Sequence, residues 1–193
     1  IKADKNTLFS TLYQKAMEGD KDCGGMIACN YYSGEPVTGL EEGRPMFLRR
    51  PDSHLGLANF MRSHLYASLV TLKIGLDILL KEEDVKIDSI TGHGGLFKTK
   101  GVGQSILAAA MNAPISVMET AGEGGAWGMA LLAAYMLSKK DGQSLGDYLD
   151  SRVFAERKSE TMEPDLADVA GFETYTKQYQ ACLAAEKAAV QAF

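Results

Sequence analysis

The chain has little of what usually betrays chemistry in a sequence. Its 193 residues include three cysteines, five prolines, three histidines and one tryptophan. Cys23, Cys29 and Cys182 are too few for a disulfide framework and have no metal-ligand spacing. Reduced thiols in a cytoplasmic protein are therefore the expectation. No apolar run approaches membrane-spanning length, and no signal peptide opens the chain. Lys and Arg number 20 against 25 Asp and Glu, a net charge of -5. Such a chain lacks the basic footprint that nucleic acids or anionic membrane surfaces require, so neither is expected as a partner. The motifs HExxH and CxxC do not occur. The first residue is Ile1 rather than Met, which reads as a processed or cut start.

What is present is a soluble globular balance, 46% apolar and 23% charged. A chain of this size buries roughly 70% of its unfolded surface, enough for one self-sufficient core. Leu8, Leu12 and Ala16 mark a first short helix that ends near Gly19. The run from Met26 to Tyr32 and the segment Pro45 to Leu48 read as strands. Leu57, Met61, Leu65, Leu69, Leu72, Leu76 and Leu79 recur at helical spacing, so a long helix is expected, capped by Asp52 or Ser53 and running to about Glu83. Beyond it the order is strand (86–91), glycine loop, helix (99–111), strand (115–119), glycine loop, helix (126–137). That alternation implies a parallel sheet with a right-handed crossover. The tail from Ser144 reads as helical, broken at Pro164, with Phe172, Tyr175, Tyr179, Leu183 and Val190 on the inner face of the last helix. One domain spanning 1–193 is the economical division.

Glycine is the plentiful residue, at 20, and it clusters in Gly92-His93-Gly94-Gly95 and Gly122-Glu123-Gly124-Gly125. Each cluster follows a predicted strand and precedes a helix. Both should lie on the carboxyl edge of the sheet, where open α/β folds bind ligands. Glycines there let backbone N–H groups approach a ligand, and helix N-termini favour anions. The phosphate fingerprints do not fit, however. No GxxxxGK[ST] follows, and GxGxxG fails at Phe97 in the first cluster and Trp127 in the second. Either cluster alone also suits a tight strand-to-helix turn. Among the histidines, His93 lies inside a glycine cluster and is a candidate ligand contact, whereas His54 and His64 fall in the long helix. Glu35 and Glu119 are lone acids, and Trp127 and the methionines read as core.

Several segments together resemble one family. Asn30-Tyr31-Tyr32-Ser33-Gly34-Glu35, the helix start Asn59-Phe60-Met61-Arg62-Ser63, the strand and loop Ile90 to Gly95, the helix start Gly125-Ala126-Trp127-Gly128-Met129-Ala130, and the tail Glu163-Pro164-Asp165 with Tyr175 and Tyr179 are similar, in order and spacing, to the C-terminal domain of the FGGY carbohydrate kinases. The resemblance is strongest to the xylulokinase and ribulokinase branches. It implies an α/β ribonuclease H-like, actin-type ATPase fold, the C-terminal half of a sugar kinase partly truncated on its N-terminal side. It further implies ATP and Mg2+ as cofactors and transfer of the γ-phosphate to a ketose hydroxyl. Gly94, Gly95, Lys98, Gly34, Ser33 and His93 are the implied nucleotide contacts. No catalytic residue and no metal ligand is expected in the chain itself. The sugar, a pentulose or relative, and the general-base Asp would belong to segments before Ile1, and homo-oligomer formation is left open. Departures from the family pattern at His93, Leu96, Tyr66-Ala67 and Phe47-Leu48 point to a divergent branch. Bulky Leu96 and Phe97 in the glycine loop also fit a second reading, a non-catalytic interaction module of the same fold.

Overall fold

Residues 4–119, 124–155 and 159–192 are described by the computed structural model. The first helix, α1 (Lys5–Ala16), begins where the Asp4 carboxylate accepts from the backbone N–H of Thr7. Only Ala16 of α1 is buried, and Leu8 and Phe9 face solvent, so its apolar spacing covers less than the sequence suggests. The strand β1 (Met26–Cys29) follows, then β2 (Met46–Arg49), paired antiparallel with Ile27 opposite Leu48. β1 is shorter than the expected run to Tyr32, but every one of its residues is buried.

The long helix α2 (Leu57–Lys81) starts after Gly56, not after Asp52 or Ser53. The Ser53 hydroxyl is engaged elsewhere. It donates to the Gly25 carbonyl and accepts from the Arg50 N–H, closing a turn before the helix. His54 accordingly lies outside α2, exposed and bonded through Nδ1 to Asp20, while His64 lies within it. By length and hydropathy α2 meets the criterion for crossing a membrane, contrary to the reading that no such run exists. Its packing accounts for that apolar character: the helix lies against α1, β1 and the last helix, and buries Arg62 and Lys73 in ion pairs.

The second sheet holds β3 (Ile90–Gly92), β4 (Ile115–Met118) and β5 (Ser159–Met162) in the order β3-β4-β5. β3 and β4 are parallel, with Thr91 opposite Ser116, as the strand–loop–helix order predicts. β3 forms only at the end of the expected segment, because the polar residues before it stay exposed. β5 runs antiparallel to β4 and went unread, since its Ser-Glu-Thr-Met sequence has little strand character and lies in a tail expected to be helical. The crossover α3 (Val102–Met111) is buried along almost all of its length. Its Gln104 side chain donates to the carbonyls of Ile115 and Glu160, tying β4 to β5 from beneath.

After β4 come α4 (Gly124–Ser138), α5 (Leu145–Tyr148), a π-helical turn (Leu149–Val153) and the last helix, α6 (Leu166–Ala192). Met26 and Met111 are core as expected, but α4 corrects that expectation for Trp127 and for its own methionines. None of its residues is buried; Met129, Met136 and Leu137 are 69%, 76% and 90% exposed. Trp127 is half-buried and meets the Phe154 ring edge-on, and Tyr135 meets Tyr148. α6 behaves as its spacing predicts, burying Phe172, Tyr175 and Tyr179.

One buried ion pair joins α2, α6 and the end of α1. Arg62 is 0% exposed; its guanidinium contacts Asp168, donates to the Tyr66 hydroxyl at 2.9 Å and reaches the Ala16 and Met17 carbonyls. Lys21 meets the same Asp168 oxygen at 2.8 Å. Burial opposes the charge on Arg62, but Tyr66 and Asp168 outweigh it and hold the guanidinium above its usual range. Replacing Arg62 alone by Met should cost about 3–5 kcal/mol in urea unfolding, because Asp168 loses its buried partner. The double variant Arg62→Met/Asp168→Leu should recover most of that loss. A single variant as stable as the parent would show that the pair does not hold these helices together.

Candidate functional site at the glycine turn

β3 ends at Gly92, and parallel pairing puts the carboxyl ends of β3 and β4 on the same side of the sheet. The chain then turns at Gly94 with φ +111°, a conformation that L side chains rarely adopt. A single 3-10 turn follows (Gly95–Lys98), closed by the Phe97 N–H donating to the Gly94 carbonyl at 3.1 Å. The turn's two bulky residues point inward. The Phe97 ring lies against Gly92, where an added Cβ would sit 2.4 Å from ring carbons, and Leu96 packs on Gly103 of α3. These packings keep Leu96 and Phe97 out of the groove that faces α1, although Phe97 lines the smaller groove behind the turn.

On the open side, the space where side chains of Gly94 and Gly95 would project holds no atom within 4 Å. A groove of about 740 Å³ lies there, between Gly95, Lys98 and Thr99 and the α1 residues Asn6, Thr7, Phe9, Ser10, Thr11 and Tyr13. Its lining is amides, hydroxyls, two aromatic rings and one ammonium. That mixture suits a ligand with an aromatic body and an anionic end, and the volume falls within the ordinary ligand range. A second groove of about 440 Å³ lies behind the turn, between Lys98, Lys100, Gln104, Glu119 and Glu160 among others. It borders the N-terminus of α3, where Gly101 (φ +81°) provides no side-chain cap. Lys98 lines both grooves.

His93 is exposed, and its ring lies beside the first residue of α4: a Cβ on Gly124 would come 3.3 Å from Nδ1. The second glycine cluster thus meets the first at Gly124, while its Gly122 and Glu123 lie outside the described residues. Ser33 and Gly34 line neither groove. Gly34 is pressed against the backbone of Leu40 and Glu41, in a loop closed by the Glu35–Leu40 pair of backbone hydrogen bonds. Val37 of that loop packs on Gly75 of α2. Glu35 uses its carboxylate to accept from the Val37 N–H. Among the described residues, no group of three His, Cys, Asp or Glu side chains is arranged to hold a metal ion.

The wall contributed by α1 is the part of the site that sequence reasoning missed. Asn6, Phe9, Ser10 and Tyr13 recur at three and four residues and so share one helix face. The spacing was visible, but these residue types form no motif.

With this geometry in view, the comparisons are specific. Residues 1–137 match the model of the FGGY family of carbohydrate kinases, C-terminal domain. The chain therefore belongs to that family and has its ribonuclease H-like, actin-type ATPase fold, here with a mixed sheet. No curated protein matches the chain. Among solved structures it is similar to ligand-bound xylulose kinase from Lactobacillus acidophilus, at TM-score 0.68 and 19% identity over 90% of this chain and 34% of that one. Gluconate kinase from the same organism matches at 0.67 and 18%, again over 90% of this chain and 34% of that one. Plasmodium falciparum glycerol kinase with ADP matches at 0.64 and 17%, over 92% of this chain and 33% of that one. The chain thus spans about a third of the length of these kinases.

The inward packing of Phe97 is directly testable. Gly92→Ala forces a Cβ into the ring and should cost about 1–3 kcal/mol by overpacking. Adding Phe97→Leu to that variant should cost less than the two single losses combined, a coupling that a double-mutant cycle measures. Additive losses would mean that the ring does not lie beneath the turn.

Proposed function

We propose that the chain forms the nucleotide-binding wall of an ATP-dependent sugar kinase that passes the γ-phosphate to a hydroxyl of a ketose such as xylulose or ribulose. The observation that supports this most is the open backbone at Gly95, facing α1 across a groove of nucleotide size, with open space also at the neighbouring Gly94. Membership of a carbohydrate kinase family gives the reaction class. In this reading the phosphates lie along the turn, where Gly94 and Gly95 permit close approach and Lys98 supplies positive charge. The base lies toward Phe9 and Tyr13. His93 lines neither groove and enters only as a neighbour of the turn on the side of α4. Mg2+ would arrive with the nucleotide, bound mainly by its phosphates.

Ser33 and Gly34 enter this proposal only as a loop that shapes the surface beyond α2, since they line neither groove. Phosphoryl transfer needs an oriented acceptor, a metal and a phosphate cradle together. The chain supplies the cradle, and the sugar and its base would come from elsewhere in the kinase. The isolated chain should therefore be inactive and bind nucleotide weakly. Buried thiols at Cys23 and Cys29 fit a cytoplasmic setting, where burial pushes Cys29 up to about 12 and Cys23 higher still.

Hydrogen exchange with and without a non-hydrolysable ATP analogue tests the assignment. Amides from Gly94 to Thr99 and on the Asn6–Tyr13 face of α1 should gain protection. Gly95→Val, which meets open space and keeps an allowed backbone, should leave stability within about 0.5 kcal/mol and weaken the analogue at least tenfold. Protection confined to other segments would sink the proposal, as would undiminished binding by Gly95→Val.

A further inference from the structure

The two walls of the α1 groove are held very differently. The glycine turn is pinned from below by Phe97 and Leu96. The C-terminal end of α1 is pinned too, through the buried Ala16 and the Arg62 contacts to the Ala16 and Met17 carbonyls. The opposite half of the helix is less covered: every residue from Asp4 to Phe9 is exposed. On the anchored side, two residues before the buried Ala16, the exposed Gln14 extends its Nε2 to the Lys100 carbonyl, 3.2 Å away and 86 residues distant in sequence. Lys100 is well placed to receive it. It follows Thr99, which lines the groove, and precedes Gly101, the residue before α3, while its ammonium reaches Glu160 of β5 at 3.3 Å.

We propose that Gln14 is a positioning residue of the nucleotide groove. By holding α1 to the segment after the glycine turn it sets the separation of the two walls, and so the fit of a nucleoside between them. This rests on the nucleotide reading given above. A single exposed hydrogen bond is a weak fastening. It does not lock the groove; it raises the fraction of molecules whose walls already stand at binding distance, which strengthens binding without new ligand contacts. Nucleoside affinity should therefore respond to Gln14, although Gln14 itself does not line the groove.

The experiment titrates the 193-residue chain and its variants with adenosine and with a non-hydrolysable ATP analogue, followed by NMR. Gln14→Ala should weaken both ligands about three- to tenfold with an unchanged melting temperature. Gln14→Glu keeps the shape and loses the donor; it should weaken adenosine to a similar degree, and because adenosine is neutral the new charge does not explain the loss. Gln14→Lys restores a donor that can reach the carbonyl and should recover adenosine affinity. Affinities of Gln14→Ala and Gln14→Glu within twofold of the parent would overturn the proposal. So would a fall in melting temperature that tracks the loss of affinity, since Gln14 would then be only structural. Gly95→Val separates the two levels. If it loses binding while the Gln14 variants do not, the role of Gln14 alone fails. If it binds like the parent, or if the parent binds neither ligand, the nucleotide reading fails and this inference with it.

Discussion

The parallel pairing of β3 with β4 is the constraint on which the site depends. Three residue pairs, Ile90 with Ile115, Thr91 with Ser116 and Gly92 with Val117, set both strands pointing the same way. Each strand then releases its chain at the same edge, and each is followed there by glycine and a helix. Strands this short cannot hold their register alone. The buried crossover α3 keeps them in place, with Gln104 bonded to the backbone of both β4 and β5. Disturbing α3 would therefore act on the glycine turn at a distance, through register rather than contact.

The remainder of the fold keeps that edge free. β1 is buried between α2 and α6, and the Tyr175 hydroxyl donates to carbonyls of β1 and α2. The Arg62–Asp168 pair closes the same layer. This core lies at the other end of α1 from the groove, so α1 is anchored at one end and exposed at the other. Its exposed end faces a turn whose apolar residues have been folded inward. The result is an accessible backbone at Gly95 opposite an exposed helix end, a concave surface of the kind small ligands use.

Much of this was legible in the sequence. The leucine spacing of α2, the aromatic face of α6 and the alternation around the two glycine clusters all led to the observed elements, and five short segments together led to the family. The failures have physical causes. The start of α2 was misplaced because Asp52 and Ser53 are good capping residues, but Ser53 serves the turn at Gly25 instead. β5 carries no strand pattern and exists because β4 offers it an edge. α4 reads as core because it contains no charged residue, yet none of its residues is buried, since its burial depends on partners that its own composition cannot specify. At the site, glycine announced the turn. The inward direction of Phe97 and the contribution of α1 depend on tertiary packing and leave no local mark.

The family gives the chemistry its class; the proposal gives it a place, a nucleotide between α1 and the turn from Gly95 to Thr99. Photolabelling the chain with 8-azidoadenosine triphosphate and mapping the modified peptides tests that placement most directly. Modification should concentrate on α1 between Asn6 and Tyr13 and on the segment from Gly95 to Thr99, and unlabelled ATP should suppress it. ATP-protected labelling on α6 or on the β1–β2 pair, with none on α1, would contradict it.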